Sequence, residues 1–198
     1  MFSNNGLEQP GSPAVEGAGD GALGRKTLAN PAGMDAIALL KADHRKVEGL
    51  FADFEKARGA DRKLKLAQQI CLELKIHTII EEEIFYPACE GKVDEDLLKE
   101  SYVEHDAAKV MIAEIEASSP DAEFYDAKVK VLSEEIEHHV EEEEKRMEGL
   151  FAQARKAGLD LAELGEEMSA RKQELLGDAK SGREPPTRMG TMPDQRAP

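Results

Sequence analysis

Tryptophan is absent and aromatic residues make up only 5% of the chain, so aliphatic side chains must do most of the filling of any core. Cysteine is nearly as scarce. Cys71 and Cys89 are the only two, and on the single helix proposed below they would stand about 27 Å apart along its axis, too far to pair. No CxxC motif or Cys/His cluster accompanies them, so they read as buried free thiols rather than a redox or metal pair. Nowhere do about 18 apolar residues run together, which leaves no candidate membrane helix. The start, MFSNNGLEQP, lacks the basic-then-apolar order of a secretory signal, so the expected location is cytoplasmic. Positive charge is the last deficit: 26 Lys and Arg stand against 41 Asp and Glu, for a formal net charge of −15. Such a surface repels phosphate backbones and anionic lipid, so neither nucleic acid nor a membrane is an expected partner.

What is abundant points to helices. Apolar residues are 40% and charged residues 34% of 198, a balance suited to one all-α domain with a real core. Residues 1–33 are rich in Gly, Pro, Ser and Ala without apolar periodicity, and 181–198 read the same way; both are expected as disordered tails. Between them, helical periodicity covers about 34–58, 61–90, 94–117 and 120–157, with a shorter stretch at about 160–180.

The breaks carry their own chemistry. Gly59-Ala60-Asp61 offers a C′ glycine and then a capping aspartate, Gly91 precedes a cap at Asp94, and Ser119-Pro120 reads as a cap with proline at the first helical position. Short turns between long helices make neighbours antiparallel, so residues 34–157 are expected as an up-down-up-down four-helix bundle. Residues 158–180 add a further helix packed outside it, opened by a capping box, Asp160 with Glu163, and a Leu159/Leu164 staple.

The core-facing stripes are interrupted. They read Ile37, Leu40, His44, Val47, Phe51, Phe54 on the first helix and Ile70, Leu74, His77, Glu81, Ile84, Ala88 on the second. The third reads Leu98, Tyr102, His105, Ala108, Ile112, Ile115, and the fourth Val129, Leu132, Ile136, His139, Glu143, Met147, Leu150. An ionised carboxylate in an apolar core is costly unless paired or bound to a cation, and two of them call for a shared explanation. A metal supplies it. Histidine at i and glutamate at i+4 share a helical face, so His77/Glu81 and His139/Glu143 each present a nitrogen and an oxygen to one point.

Two residues on antiparallel neighbours lie at equal height when the midpoint of their numbers falls in the turn between them. For 44 and 77 the midpoint is 60.5, for 77 and 105 it is 91, and for 105 and 139 it is 122. Each lands at a predicted turn, so the four histidines are expected in one layer. Any one of them alone would read as a satisfied core histidine; the set does not.

His138 is one residue off its stripe, about 100° around the helix, and is expected at the surface or beside the site. Glu82, Glu83, Glu141, Glu142 and Glu144 read as a solvated acidic face. Tyr102, one turn before His105, is either an amphipathic core tyrosine or a partner of the site by hydrogen bond or ligation. Glu48, at i+4 from His44, is a weaker extra candidate.

These residues resemble the hemerythrin-like, or HHE cation-binding, domain family. From about Met34 to Ala157 the matching segments come in order: Leu40-Lys41-Ala42-Asp43-His44, then His77 to Pro87 (HTIIEEEIFYP), then Glu104-His105, then His139 to Glu144 (HVEEEE). Ferritin-like sites carry Glu-x-x-His instead, the reverse order at another spacing. The resemblance implies two iron ions with an oxo or hydroxo bridge, Glu81 and Glu143 as bridging carboxylates, and His44, His77, His105 and His139 as terminal ligands. Oxygen-carrying members show HxxxH on the third helix, whereas here His105 is followed four residues later by Lys109. Each iron could then reach five ligands and keep one open position, where O₂, hydrogen peroxide or NO would bind. No catalytic side chain beyond the metal centre is expected. Catalase-like breakdown of peroxide is the favoured function; an O₂- or NO-binding or sensing module without turnover, and an iron store or donor, are the alternatives.

Overall fold

The computed structural model of the chain describes residues 33–191. Ala36–Lys56 (α1) is opened by Asp35, whose carboxylate accepts from the Ala38 N–H at 2.8 Å. Helix α2 runs Ala60–Ile80, continues through a π-helical segment, Glu81–Phe85, and closes with one last α-turn, Tyr86–Cys89. Asp94 caps α3, Glu95–Glu116, accepting from the backbone of Asp96 and Leu97. Tyr125–Glu144 forms α4, Leu150–Lys156 forms α5 and Leu161–Lys180 forms α6. Asp160 accepts from the Glu163 N–H, so it caps the helix as expected, and Leu159 and Leu164 both pack on the core.

There is no strand among the described residues. Helix α1 packs on α2 and α4, and α3 packs on the same two, which closes an antiparallel four-helix bundle; α6 lies across α1 and α2 from outside. None of these helices is long and apolar enough to cross a membrane. Cys71 and Cys89 are free and buried on α2, and burial above all pushes both thiols up to about 12.

The core comes in two blocks. One is built from Val47, Phe51, Ile70, Ile112, Tyr125 and Leu132, the other from Leu40, Ile80, Phe85, Leu150, Phe151 and Met168. His44 falls between Leu40 of one and Val47 of the other, and His105 likewise falls between Leu98 and Ala108. The interrupted stripes thus place a polar layer between two apolar ones.

Four local readings are corrected. Gly59, not Asp61, caps α2, and Asp61 sits in its first turn. Ser119-Pro120 does not start α4; residues 117–124 form turns and the helix begins at Tyr125. The stretch expected as one helix to 157 breaks at Lys145, leaving Met147 84% exposed rather than on the core stripe. The break turns the chain tightly enough that a Cβ at Gly149 would come 2.5 Å from the Glu143 carbonyl oxygen, and it carries Leu150 and Phe151 back into the core. The fourth correction is in α2. The π-turn bonds the Tyr86 N–H to the Glu81 carbonyl, five residues back, so the buried face slips by one residue. Phe85, Tyr86 and Cys89 are buried where Ile84 and Ala88 were expected.

Of the two expected tails, residues 1–32 and 192–198 lie outside the described residues. Residues 183–190 carry no helix but lie against the bundle, and the N–H groups of Gly190 and Thr191 bond to Asp106.

Candidate metal centre

Each bundle helix delivers one imidazole to the polar layer, and the four meet in two pairs through their inner nitrogens. Nε2 of His44 lies 3.1 Å from Nε2 of His77, and Nε2 of His105 lies 3.2 Å from Nε2 of His139. Glu81 links the pairs: its Oε2 is 3.1 Å from His77 Nε2 and 3.3 Å from His105 Nε2. Glu143 does the same from the opposite side, with Oε2 at 3.5 Å from His44 Nε2 and 3.6 Å from His139 Nε2. All six side chains are buried. His44, His77, Glu81 and Glu143 form one group of potential ligands, and Glu81, His105 and His139 a second.

The outer nitrogens follow a rule that runs around the bundle. Asp43 of α1 faces His77 of α2, Glu82 of α2 faces His105 of α3, Glu104 of α3 faces His139 of α4, and Glu144 of α4 faces His44 of α1. Each carboxylate is the sequence neighbour of a residue in the cluster. About 100° around its own helix, it points at the interface with the next helix, where that helix's imidazole shows its outer edge. Three of these links are hydrogen bonds, at 3.0 Å for His105, 2.7 Å for His139 and 2.9 Å for His44. The fourth is longer, with His77 Nδ1 at 3.7 Å from Asp43. Partners of this kind set the tautomer and aim Nε2 inward.

A family model, the hemerythrin HHE cation binding domain, matches residues 35–151. The chain belongs to this family. A solved hemerythrin HHE cation-binding domain-containing protein from Mycobacterium kansasii is 25% identical, with a TM-score of 0.63 over 75% of this chain and 91% of that one. An uncharacterised Mycobacterium tuberculosis protein is 27% identical over 73% of this chain and 89% of its own length. A Nostoc protein named DNA nickase is 29% identical, but the chain spans only 32% of it.

In this HHE domain the expected companions of the site fall in different places. Tyr102 stands one ring away, edge-on to Tyr86 with centroids 5.1 Å apart. The tyrosine at the centre is Tyr86, which the regular helical spacing did not indicate. Its hydroxyl donates to Glu143 Oε1 at 3.1 Å and lies 3.2 Å from His105 Nε2. Burial, with the charges on Glu143 and Glu81, pushes the phenol well above its ordinary value, so it stays protonated. Glu48 is exposed and pairs with Arg45, away from the cluster. His138 is 63% exposed, near Glu104 and Glu142, as its offset implied. Glu82 and Glu144, read as part of a solvated face, instead hold His105 and His44.

The residues present fit cations. Neither oxygen of Glu81 has a hydrogen-bond partner, nor do Glu143 Oε2 and His77 Nδ1, and an unpaired buried carboxylate is costly. Two nitrogens 3.1 or 3.2 Å apart have about the separation of adjacent ligands on one ion with bonds near 2.1 Å. Without an ion these groups compete for protons. Burial opposes the charge on Glu81, yet His77 and His105 hold its carboxyl well below the ordinary range. Burial and the Glu81 charge push Glu143 up to about 8. Burial also works against His77, but Glu81 and Asp43 outweigh it and raise the imidazole to about 10, while burial and His77 press His44 down to about 4. Cation binding at such a cluster displaces protons.

Proposed function

We propose that this HHE domain takes up two iron ions, which Glu81 and Glu143 would hold together with the four histidines, and that it breaks down hydrogen peroxide in a catalase-like way. The observation that carries the reading is the gathering of four imidazole nitrogens, in two pairs, about two buried carboxylates with unpartnered oxygens. Mixed imidazole and carboxylate ligation suits iron. When bound, iron supplies the redox chemistry and a position at which a small oxidant can attach.

The chain supplies the rest. His44, His77, His105 and His139 would be terminal ligands, aimed by the carboxylates at their outer nitrogens. Phe151 stacks on His44 at 5.8 Å and Phe85 stands edge-on to Phe151, an apolar wall that excludes water. Tyr86 keeps its proton inside the layer, where its O–H, donated to Glu143, would turn from that carboxylate to bond an oxygen atom of a small oxidant. Lys109, four residues after His105, turns its ammonium to Glu82 and Asp106, so it adds no ligand in the place where oxygen carriers have a histidine. That difference favours turnover over reversible O₂ carriage. DNA nicking is not carried over from the Nostoc relative, because a net charge of −15 repels the substrate. The cytoplasm is the proposed location.

O₂ release from peroxide by the iron-loaded protein, measured beside His77→Ala, tests the proposal. The variant should lose at least tenfold; equal rates would overturn it. Spectral change with O₂ or NO but no O₂ release would support a binding module instead, and more than two irons per chain a store.

A further inference from the structure

The described end of the chain lies well past residue 151, where the family match stops, yet it is wired to the metal centre. The path begins at His105, whose Nδ1 is 3.0 Å from Glu82 Oε1. Both oxygens of Glu82 accept from the Lys109 ammonium, at 2.6 and 2.8 Å. Lys109 is buried, with its side chain 4% exposed, so its charge requires partners; the second is Asp106, at 3.2 Å. Asp106 is held in turn by the C-terminal segment. Its Oδ1 accepts from the Gly190 N–H at 2.7 Å, and its Oδ2 from the N–H and hydroxyl of Thr191 at 3.0 and 2.5 Å.

The seat of this segment is tight. A Cβ on Gly190 would come 2.9 Å from the Tyr102 ring and 3.4 Å from Glu82 Oε2, so only glycine lets the backbone lie this close to the network. Chemically the chain of contacts tunes one imidazole. A carboxylate that shares its charge with a buried ammonium draws less on the N–H it accepts. Glu104, facing His139, has no Lys or Arg partner in any ion pair of the described residues, only His138 at 3.8 Å. His105 and His139 belong to one pair and would therefore differ in donor strength.

We propose that Gly190 and Thr191, Asp106 and Lys109 are positioning residues of the metal centre, relaying the seat of the C-terminal segment through Glu82 to His105. The inference rests on the metal-binding reading above. Iron-loaded full-length protein is compared with a chain ending after Arg188, with Lys109→Met and with both changes together, following loss of iron to excess chelator and the optical spectrum. Truncation should speed release about threefold and Lys109→Met about tenfold, the range in which outer partners of ligands act. The combination should be no faster than Lys109→Met alone, because both act along one path. Thr191→Ser should restore most of what Thr191→Val loses. Unchanged release and spectrum on truncation, or independent effects that multiply, overturn the relay. If the chain takes up no metal, the functional reading fails by itself. The relay is then decided on metal-free protein by imidazole ¹⁵N shifts: truncation should move His105 and leave His44, and unmoved His105 signals overturn it.

Discussion

The His44–His77 half of the centre and the His105–His139 half use the same one-histidine-per-helix spacing, yet their walls differ. Beside His44 stands Phe151, stacked at 5.8 Å with ring planes 12° apart, offering no polar atom. Beside His105 stands Tyr86, stacked at 5.3 Å with its hydroxyl inside the layer. Both walls come from places where a helix leaves its regular period. Tyr86 arrives through the π-turn of α2, Phe151 through the break between α4 and α5. Regular 3.6-residue spacing gathers the four imidazoles and two carboxylates; irregularity makes the two halves of the cluster inequivalent.

The largest expected effect joins the halves. Glu81 approaches one imidazole of each pair, so Glu81→Ala should lower affinity at both positions at least 100-fold and take bound metal from about two ions per chain toward none. Metal analysis after desalting decides; one ion retained would show that a half can stand alone. Next in size is a change confined to one half. Tyr86→Phe keeps the ring and removes only the hydroxyl, so metal content should hold while peroxide turnover falls about tenfold, as for the loss of one hydrogen bond, whereas Tyr102→Phe should stay within about twofold. Equal losses from the two variants would erase the distinction drawn between their positions.

The smallest effect is on stability. Removing metal should lower the melting temperature by about 5–10 °C, given saturation well above the dissociation constant. The gap should also depend on pH. In metal-free protein His77 is raised from 6.5 to about 10, so its contribution is full below 6.5 and lost as pH rises toward 10. Glu143, raised from 4.5 to about 8, likewise favours the fold most at low pH and has lost its contribution above 8. His44 runs the other way, but its depressed value makes its contribution complete above 6.5. Between pH 6.5 and 8 the metal-free protein should therefore melt progressively lower, while the loaded form, whose ligands carry no such protons, should not. Melting curves with and without metal at both pH values test this; a gap that narrows would place those protons elsewhere.

Much of the arrangement was legible because it is periodic. Apolar positions at steps of three and four, the caps at Asp94 and Asp160, and matched distances from histidine to turn are properties of the order of residues alone. Tyr86 was not legible, since nothing in Ile-Phe-Tyr-Pro announces an extra residue in a helical turn. Neither were the outer carboxylates. Glu82 and Glu144 sit in acidic runs indistinguishable from a solvated face until the neighbouring helix is in place.

By itself the order of residues determined that four amphipathic helices would form, and that each would carry one histidine on its buried stripe, because helical period and burial are local rules. Only the tertiary structure decided which carboxylate meets which imidazole and which wall carries a hydroxyl. Those contacts join residues as far apart as His44 and Glu144, and they exist only where packed helices and their breaks bring separate surfaces together.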